Sequence, residues 1–231
     1  MEAKPMQTME TRRWRFKGPE MEGPVARWYA RVRGTKSQIE VYRKQALDLT
    51  AGLADGAAVL EVAPGPGYLA IEIARLGRFH VTGLDISHTF VEIASKNARE
   101  ARVGIDFRQG DVAAMPFAAE SFDLVVCQAA FKNFTLPHGA LSEMYRVLRR
   151  DGSAVIQDMS RNATHAAIEG EVKAMELGPV STFTTKATLE MLRRRAYSPS
   201  QFERLAAESP FRTCEIALAG IGLEVRLRKD K

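Results

Sequence analysis

Between residues 57 and 157, short apolar runs alternate with amphipathic stretches, and this alternation constrains the fold of the 231-residue chain more than any other feature. Residues 57–63 (AAVLEVA), 80–86 (HVTGLDI), 122–127 (FDLVVC) and 153–157 are short and apolar, as strands covered on both faces are; residues 105–109 make a weaker one. Between them, residues 68–76, 89–101 and 137–149 repeat apolar positions at helical spacing, with Leu141, Met144, Tyr145 and Leu148 on one side of the last. Strands separated by helices of this length cannot be hairpins. They imply a parallel sheet with right-handed crossovers and helices on both faces.

The flanks differ. Residues 1–20 carry Pro5, Gly18 and Pro19 and read as a loose arm, and residues 25–53 as two helices broken near Gly34. Residues 163–195 are helical with an interruption at Gly178-Pro179, and Ser198 is a candidate helix cap. Residues 213–228 give two β segments around Gly220-Ile221-Gly222, a joint so short that it must close an antiparallel hairpin. The expected sheet is therefore mostly parallel with an antiparallel end.

The chemistry concentrates at Glu61-Val62-Ala63-Pro64-Gly65-Pro66-Gly67, directly after the first strand and opening a helix. Gly65 and Gly67 lack a Cβ, so a ligand can lie against the backbone, and the helix start adds free N–H groups with a partial positive charge. Asp85 ends the second strand, where an acid can accept from both hydroxyls of a ribose. Asp111, after the third strand, can accept from an adenine amino group while the Val112 N–H donates to the ring. Gly65 to Ala70 also fits the dinucleotide fingerprint G-x-G-x-x-G/A, which keeps a dehydrogenase open. Against it, Glu61 would repel a pyrophosphate and attract an ammonium group.

With these residues in view, the chain resembles the class I S-adenosylmethionine-dependent methyltransferases, over about residues 59–158. Glu61 to Gly67 matches that family's E/D-x-G-x-G-x-G turn, with Ala63 in place of the first glycine; a methyl group there is expected to shift the backbone slightly without ending binding. Asp85 matches its ribose acid, Asp111 the acid beside the adenine, and residues 148–153 the turn before the fifth strand. The resemblance implies a Rossmann-like α/β fold with a seven-stranded sheet in the order 3-2-1-4-5-7-6 and an antiparallel last strand. It implies S-adenosyl-L-methionine as cofactor, with Glu61, Ala63, Gly65, Gly67, Asp85, Ile86, Asp111, Val112, Gln128 and Tyr29 around it. It also divides the chain into an arm and cap helices (1–54) and a methyltransferase domain (55–231) with a helical lid at about 163–195. More narrowly, the chain is similar to the branch acting on quinones and other small molecules.

The acceptor is less legible. The Asn/Asp-Pro-Pro-Tyr motif of amide methylation is absent, and no Pro-Cys pair is present for covalent attack on cytosine. Asp158, after the fifth strand, is the preferred candidate for a catalytic polar group, with Lys132 in the loop after the fourth strand and His138 at the next helix start; His165 is a weaker candidate. Tyr29 and Arg33 can close over the cofactor's amino-acid end. Met175, Leu177, Phe183, Leu189, Met191 and Leu192 would make an apolar lid, giving an enclosed site for a small acceptor.

Composition excludes several classes. Hydrophobic residues at 45% and charged residues at 26% are those of a globular chain, and exclude a disordered, collagen-like or rod-like one. Two cysteines, Cys127 and Cys214, are too few for a disulfide framework or a cysteine-rich zinc site, and no histidine pair has metal-motif spacing. No apolar run approaches the roughly 20 residues of a membrane span, and no secretory signal opens the chain, so a cytoplasmic location is expected. The net charge of +5 is partly local: Arg12, Arg13, Arg15, Lys17, Arg27, Arg31 and Arg33 stand near Trp14 and Trp28. Such a segment keeps a nucleic-acid partner, and hence an RNA methyltransferase, open. A cofactor-binding sensor without turnover is the third reading.

Overall fold

The computed structural model describes residues 21–230 apart from Leu177, so the arm, with Arg12, Arg13 and Arg15, and the Leu177 position in the lid lie outside the described residues. Seven strands form one sheet: β1 (Ala58–Val62), β2 (His80–Asp85), β3 (Asp106–Gln109), β4 (Phe122–Gln128), β5 (Leu148–Met159), β6 (Glu215–Ala219) and β7 (Gly222–Arg228). Their order is β3-β2-β1-β4-β5-β7-β6. β1 to β5 run parallel, and β7 is antiparallel to both β5 and β6. This is the sheet expected from the sequence.

Two helices precede the sheet, α1 (Gly23–Arg33) and α2 (Lys36–Thr50). The crossovers are α3 (Tyr68–Arg75), α4 (His88–Ala101) and α5 (Pro137–Val147), followed by α6 (His165–Ala174), α7 (Pro179–Arg195) and α8 (Pro199–Ala207). Side-chain alternation along the strands divides the core. Val59, Leu124, Val126 and Val155 face α2 and α3 through Tyr42, Ala46, Leu49, Leu69 and Ile73. Leu60, Val62, Val125, Cys127 and Ile156 face α5 and α8 through Leu141, Met144, Phe202 and Leu205. Because the strands are buried on both sides, their sequence reads as continuous apolar runs rather than as alternation.

Local chemistry sets the boundaries. Ser198 begins α8 with a capping box, its hydroxyl accepting from Gln201 N–H while the Gln201 side chain accepts from Ser198 N–H. β5 starts at Leu148, earlier than the sequence pattern predicts. The chain turns through Asp151 at φ +63°, and Gly152 fits only because a Cβ would lie 2.9 Å from the Arg149 carbonyl. α6 and α7 leave the carboxyl end of β5. They pack on a small satellite core of Met159, Ala163, Ile168, Val172 and Ala196, with Leu189, Leu192 and Ile221 against it. No described helix is long and apolar enough to cross a membrane.

Candidate active site

The turn joining β1 to α3 sits at the carboxyl edge of the sheet, next to the point where the strand order reverses between β1 and β4. In open α/β sheets ligands bind at that crevice. Three of its residues have positive φ: Ala63 at +53°, Gly65 at +55° and Gly67 at +80°. Ala63 thus takes the glycine conformation despite its methyl group, at a penalty of about 1–2 kcal/mol. Its N–H donates to the Leu84 carbonyl at 2.7 Å, which holds the turn to β2.

The two glycines do different work. A Cβ on Gly65 would find only the Phe90 ring edge, 4.0 Å away, so this stretch of backbone faces open space. A Cβ on Gly67 would lie 2.8 Å from Phe107 and 2.9 Å from Ala94. The expectation that both glycines bare backbone for a ligand is therefore corrected for Gly67. Its missing Cβ, with that of Gly83, admits the Phe107 ring and lets β3 and α4 close on the turn. Asn97 Nδ2 adds a bond to the Pro66 carbonyl at 2.9 Å.

Asp85 is 5% exposed. Its Oδ2 accepts from Gly65 N–H and its Oδ1 from Ser87 N–H, both at 2.9 Å. Burial pushes its carboxyl up to about 6 against these two bonds, and the nearby Glu22 carboxylate pushes the same way. Glu22 itself caps α4, accepting from His88 N–H at 2.9 Å and Thr89 N–H at 3.0 Å, while Ser87 Oγ donates to the Met21 carbonyl at 2.7 Å. α1 is thereby latched across the ends of β1 and β2. Tyr29 stacks edge-on against Phe90 at 5.9 Å, and Tyr68 Oη donates to the Ala30 carbonyl at 2.9 Å. No local pattern around Glu22 pointed to this role, since its partners lie 66 and 67 residues away.

Glu61 is 3% exposed on β1. Its carboxylate accepts from Ala70 N–H in the first turn of α3, but Oε2 has no partner. Burial, with Asp85 adding like charge, pushes this carboxyl up to about 8. Tyr42 of α2 lies within its field, and Arg33 Nε donates to Tyr42 Oη at 3.0 Å. Gln128, at the end of β4, donates from Nε2 to Gln45 Oε1 at 2.6 Å. An unpartnered buried carboxylate and an arginine, both linked to Tyr42, carry the two charges that would match a zwitterionic amino-acid group. Tyr42 and Gln45 were not singled out from sequence, because their α2 positions fit a plain core helix.

On the third strand's side, Asp111 Oδ1 accepts from Ala113 N–H at 2.9 Å, so the acid shapes its own loop. Val112 follows it, half-buried. Glu143 and Arg146 of α5 clamp that loop, the first accepting from Met115 N–H at 2.7 Å, the second donating to the Phe117 carbonyl at 2.8 Å. The Ile86 carbonyl accepts from Gln109 Nε2 at 3.1 Å.

Lys132 and Asp158 come together. Lys132 Nζ lies 2.7 Å from Asp158 Oδ1, with the side chains 5% and 3% exposed, and Lys132 N–H donates to Oδ2 at 3.0 Å. Met159 N–H also donates to Oδ1. Cys127 lies beside the pair; burial first, then the Asp158 charge, pushes its thiol well up, so it is a neutral thiol and no nucleophile. His138 does not join this cluster: it is exposed and its Nε2 pairs with Glu208 at 2.8 Å. His165 pairs with Glu190 between α6 and α7.

Comparison with known proteins gives the same direction. Residues 60–156 match the family model described as a methyltransferase domain. The chain is 35% identical over 99 residues to a demethylmenaquinone methyltransferase of Deinococcus radiodurans, covering 42% of this chain and 41% of that one. It is 37% identical over 125 residues to the demethylmenaquinone methyltransferase of Porphyromonas gingivalis, covering 52% and 51%. The chain thus spans about half the length of the curated relatives it matches. A solved structure from Methanococcus maripaludis, provisionally named an S-adenosyl-L-methionine-dependent methyltransferase, superposes with a TM-score of 0.71 at 22% identity, over 90% of this chain and 93% of that one. Residues 60–156 thus resemble a methyltransferase domain in sequence, and the described chain shares the fold of that solved structure.

Proposed function

We propose that the chain is a class I methyltransferase and transfers the methyl group of S-adenosyl-L-methionine to a small organic acceptor of the quinone type. One observation carries the cofactor reading: a buried carboxylate oxygen of Glu61 without a partner, set under a turn whose Gly65 backbone is bare. An ammonium group supplies the missing partner, and a buried acid left unmatched is otherwise hard to account for. The acceptor class comes from the relatives, two of which are named demethylmenaquinone methyltransferases.

When bound, the cofactor supplies a methyl already activated on a positive sulfur. The chain's task is then alignment and exclusion of water. In this reading Glu61 takes the ammonium, and Arg33, carried by Tyr42, takes the carboxylate. Asp85 keeps its two backbone donors and uses its remaining lone pairs for ribose hydroxyls. Ile86, Asp111 and Val112 line the base, while Tyr29 and Gln128 bound the amino-acid end. Lys132 and Asp158 act as positioning residues: three donors already occupy the carboxylate, which suits fixing the loop after β4 better than taking a proton. His138, held by Glu208, has no part in this scheme.

The test is incubation with methyl-labelled cofactor and a panel of unmethylated quinols and quinones, followed by organic extraction. Label in the extracted ring compound is the expected result. Label appearing only in RNA would favour the nucleic-acid reading. Cofactor binding without transfer to the panel or to a metabolite extract would favour a sensor.

A further inference from the structure

The outward faces of α1 and α7 carry apolar stripes that stay exposed among the described residues. On α1, Ala26 and Ala30 are buried against the body, while Val25, Trp28 and Val32 are 45%, 62% and 49% exposed. At about 100° per residue these three share an arc of about 60° centred opposite the buried alanines. On α7, Leu189 and Leu192 turn toward the satellite core, whereas Val180 and Phe183 are 78% and 75% exposed and Met191 is 50% exposed. With Ala187 these again fall on the side away from the packed face. Neither stripe lines the crevice, because each points opposite to the surface by which its helix is docked.

Both helices are rooted at the carboxyl edge of the sheet. α1 is latched there by Glu22 on α4 and by Tyr68, and α7 is held by the core around Met159 and Ile221, where β5 ends and β7 begins. Both helices are thus anchored at the edge of the sheet that carries the candidate site. Their charge is one-sided. α1 carries Arg27, Arg31 and Arg33 and no acid, and α7 ends in Arg193-Arg194-Arg195. Arg27, Arg31, Arg194 and Arg195 are exposed and make no ion pair among the described residues, whereas Lys186 and Arg193 are paired with Glu169 and Glu190.

We propose that these two faces dock the protein on an anionic phospholipid surface, with the site mouth toward the lipid. Helices that lie in a membrane interface bury Trp, Phe and aliphatic side chains at the acyl boundary while arginines meet phosphate headgroups, and α1 and α7 both have that layout. Two copies of the chain facing each other here would set arginines against arginines. A nucleic acid would gain little from Val25, Val32, Val180 and Met191, which neither stack on bases nor bond to them. The inference goes beyond methyl transfer and holds whatever atom is methylated.

The experiment is co-sedimentation of the full chain with phosphatidylcholine vesicles, with and without phosphatidylglycerol. Binding is expected to the mixed vesicles and to weaken as salt rises. Trp28→Ser with Phe183→Ser is expected to lower partitioning at least about tenfold. Arg27→Gln with Arg31→Gln is expected to lower it about fivefold per charge at low salt. Both pairs should keep S-adenosylhomocysteine binding by calorimetry, which shows that they fold and separates this proposal from the cofactor reading. Failure of the wild-type chain to bind mixed vesicles, or binding indifferent to Trp28 and Phe183, overturns it. So does a stable dimer that those substitutions dissociate, or tight RNA binding that they abolish.

Discussion

Glu61 and Asp85 are held at about 8 and about 6, above their ordinary 4.5 and 3.8, because burial disfavours the charged form. The folded chain therefore keeps protons that the unfolded chain has released. Stability from these groups is full below the ordinary values and is lost as pH rises through the folded ones. The free protein is expected to melt lower at pH 8 than at pH 5, and Glu61→Gln to flatten that slope and stabilise at pH 8 by a few kcal/mol, on the order set by the shift. If an ammonium group pairs with Glu61, binding expels its proton. S-adenosylhomocysteine affinity should then rise toward pH 8, with proton release readable from calorimetry in buffers of different ionisation enthalpy. An affinity indifferent to pH would remove the ammonium assignment. Ala63 is a second test at this scale. Glycine there relieves the left-handed φ, and urea unfolding should find Ala63→Gly more stable by about 1 kcal/mol.

Among the elements, the loop after β4 hangs on Asp158, which accepts from the Lys132 ammonium and from the Lys132 and Met159 backbone N–H groups. Asp158→Asn leaves the Lys132 ammonium buried without a counter-charge, and should destabilise by about 3–5 kcal/mol. Replacing both, Lys132→Met with Asp158→Asn, removes the unpaired charge while the asparagine oxygen still accepts from backbone N–H, and should restore much of that stability in thermal melts. Equal losses for the single and double variants would mean that the pair itself is not what holds the loop. The α1 latch makes a similar claim: Glu22→Ala should cost about 1 kcal/mol and speed proteolytic cleavage near α1. Legibility also divided by element. Strands and crossover helices stood out because burial on both faces imposes long apolar runs, and Ser198 declared its cap within four residues. The start of β5 did not, since a turn through Asp151 and Gly152 looks like a helix end.

At the scale of the molecule, the sheet order followed from the sequence because strand, glycine turn and strand-end acids occur in a fixed succession. What the sequence withheld was contact between distant segments: Glu22 on α4, Gln45 on Gln128, Glu143 under Met115. Residue type alone placed Lys132 and Asp158 on one rim but did not reveal that they pair. It also offered His138 as a base, where tertiary packing gives it Glu208 instead. Likewise the 163–195 segment read as a lid, yet only part of its apolar surface turns inward. The overall positive charge belongs to this scale as well, since exposed arginines on α1 and α7 bias which surfaces the protein meets.

The central claim is that the turn bearing Gly65, between Glu61 and Asp85, receives an adenosyl amino acid. Calorimetric titration of S-adenosylhomocysteine into the wild-type chain and into Asp85→Ala tests it most directly. The account expects one site per chain and a weakening of about a hundredfold in the variant, as two hydroxyl hydrogen bonds to a buried carboxylate are lost. No binding by the folded wild-type chain, or equal affinity in both, would contradict it.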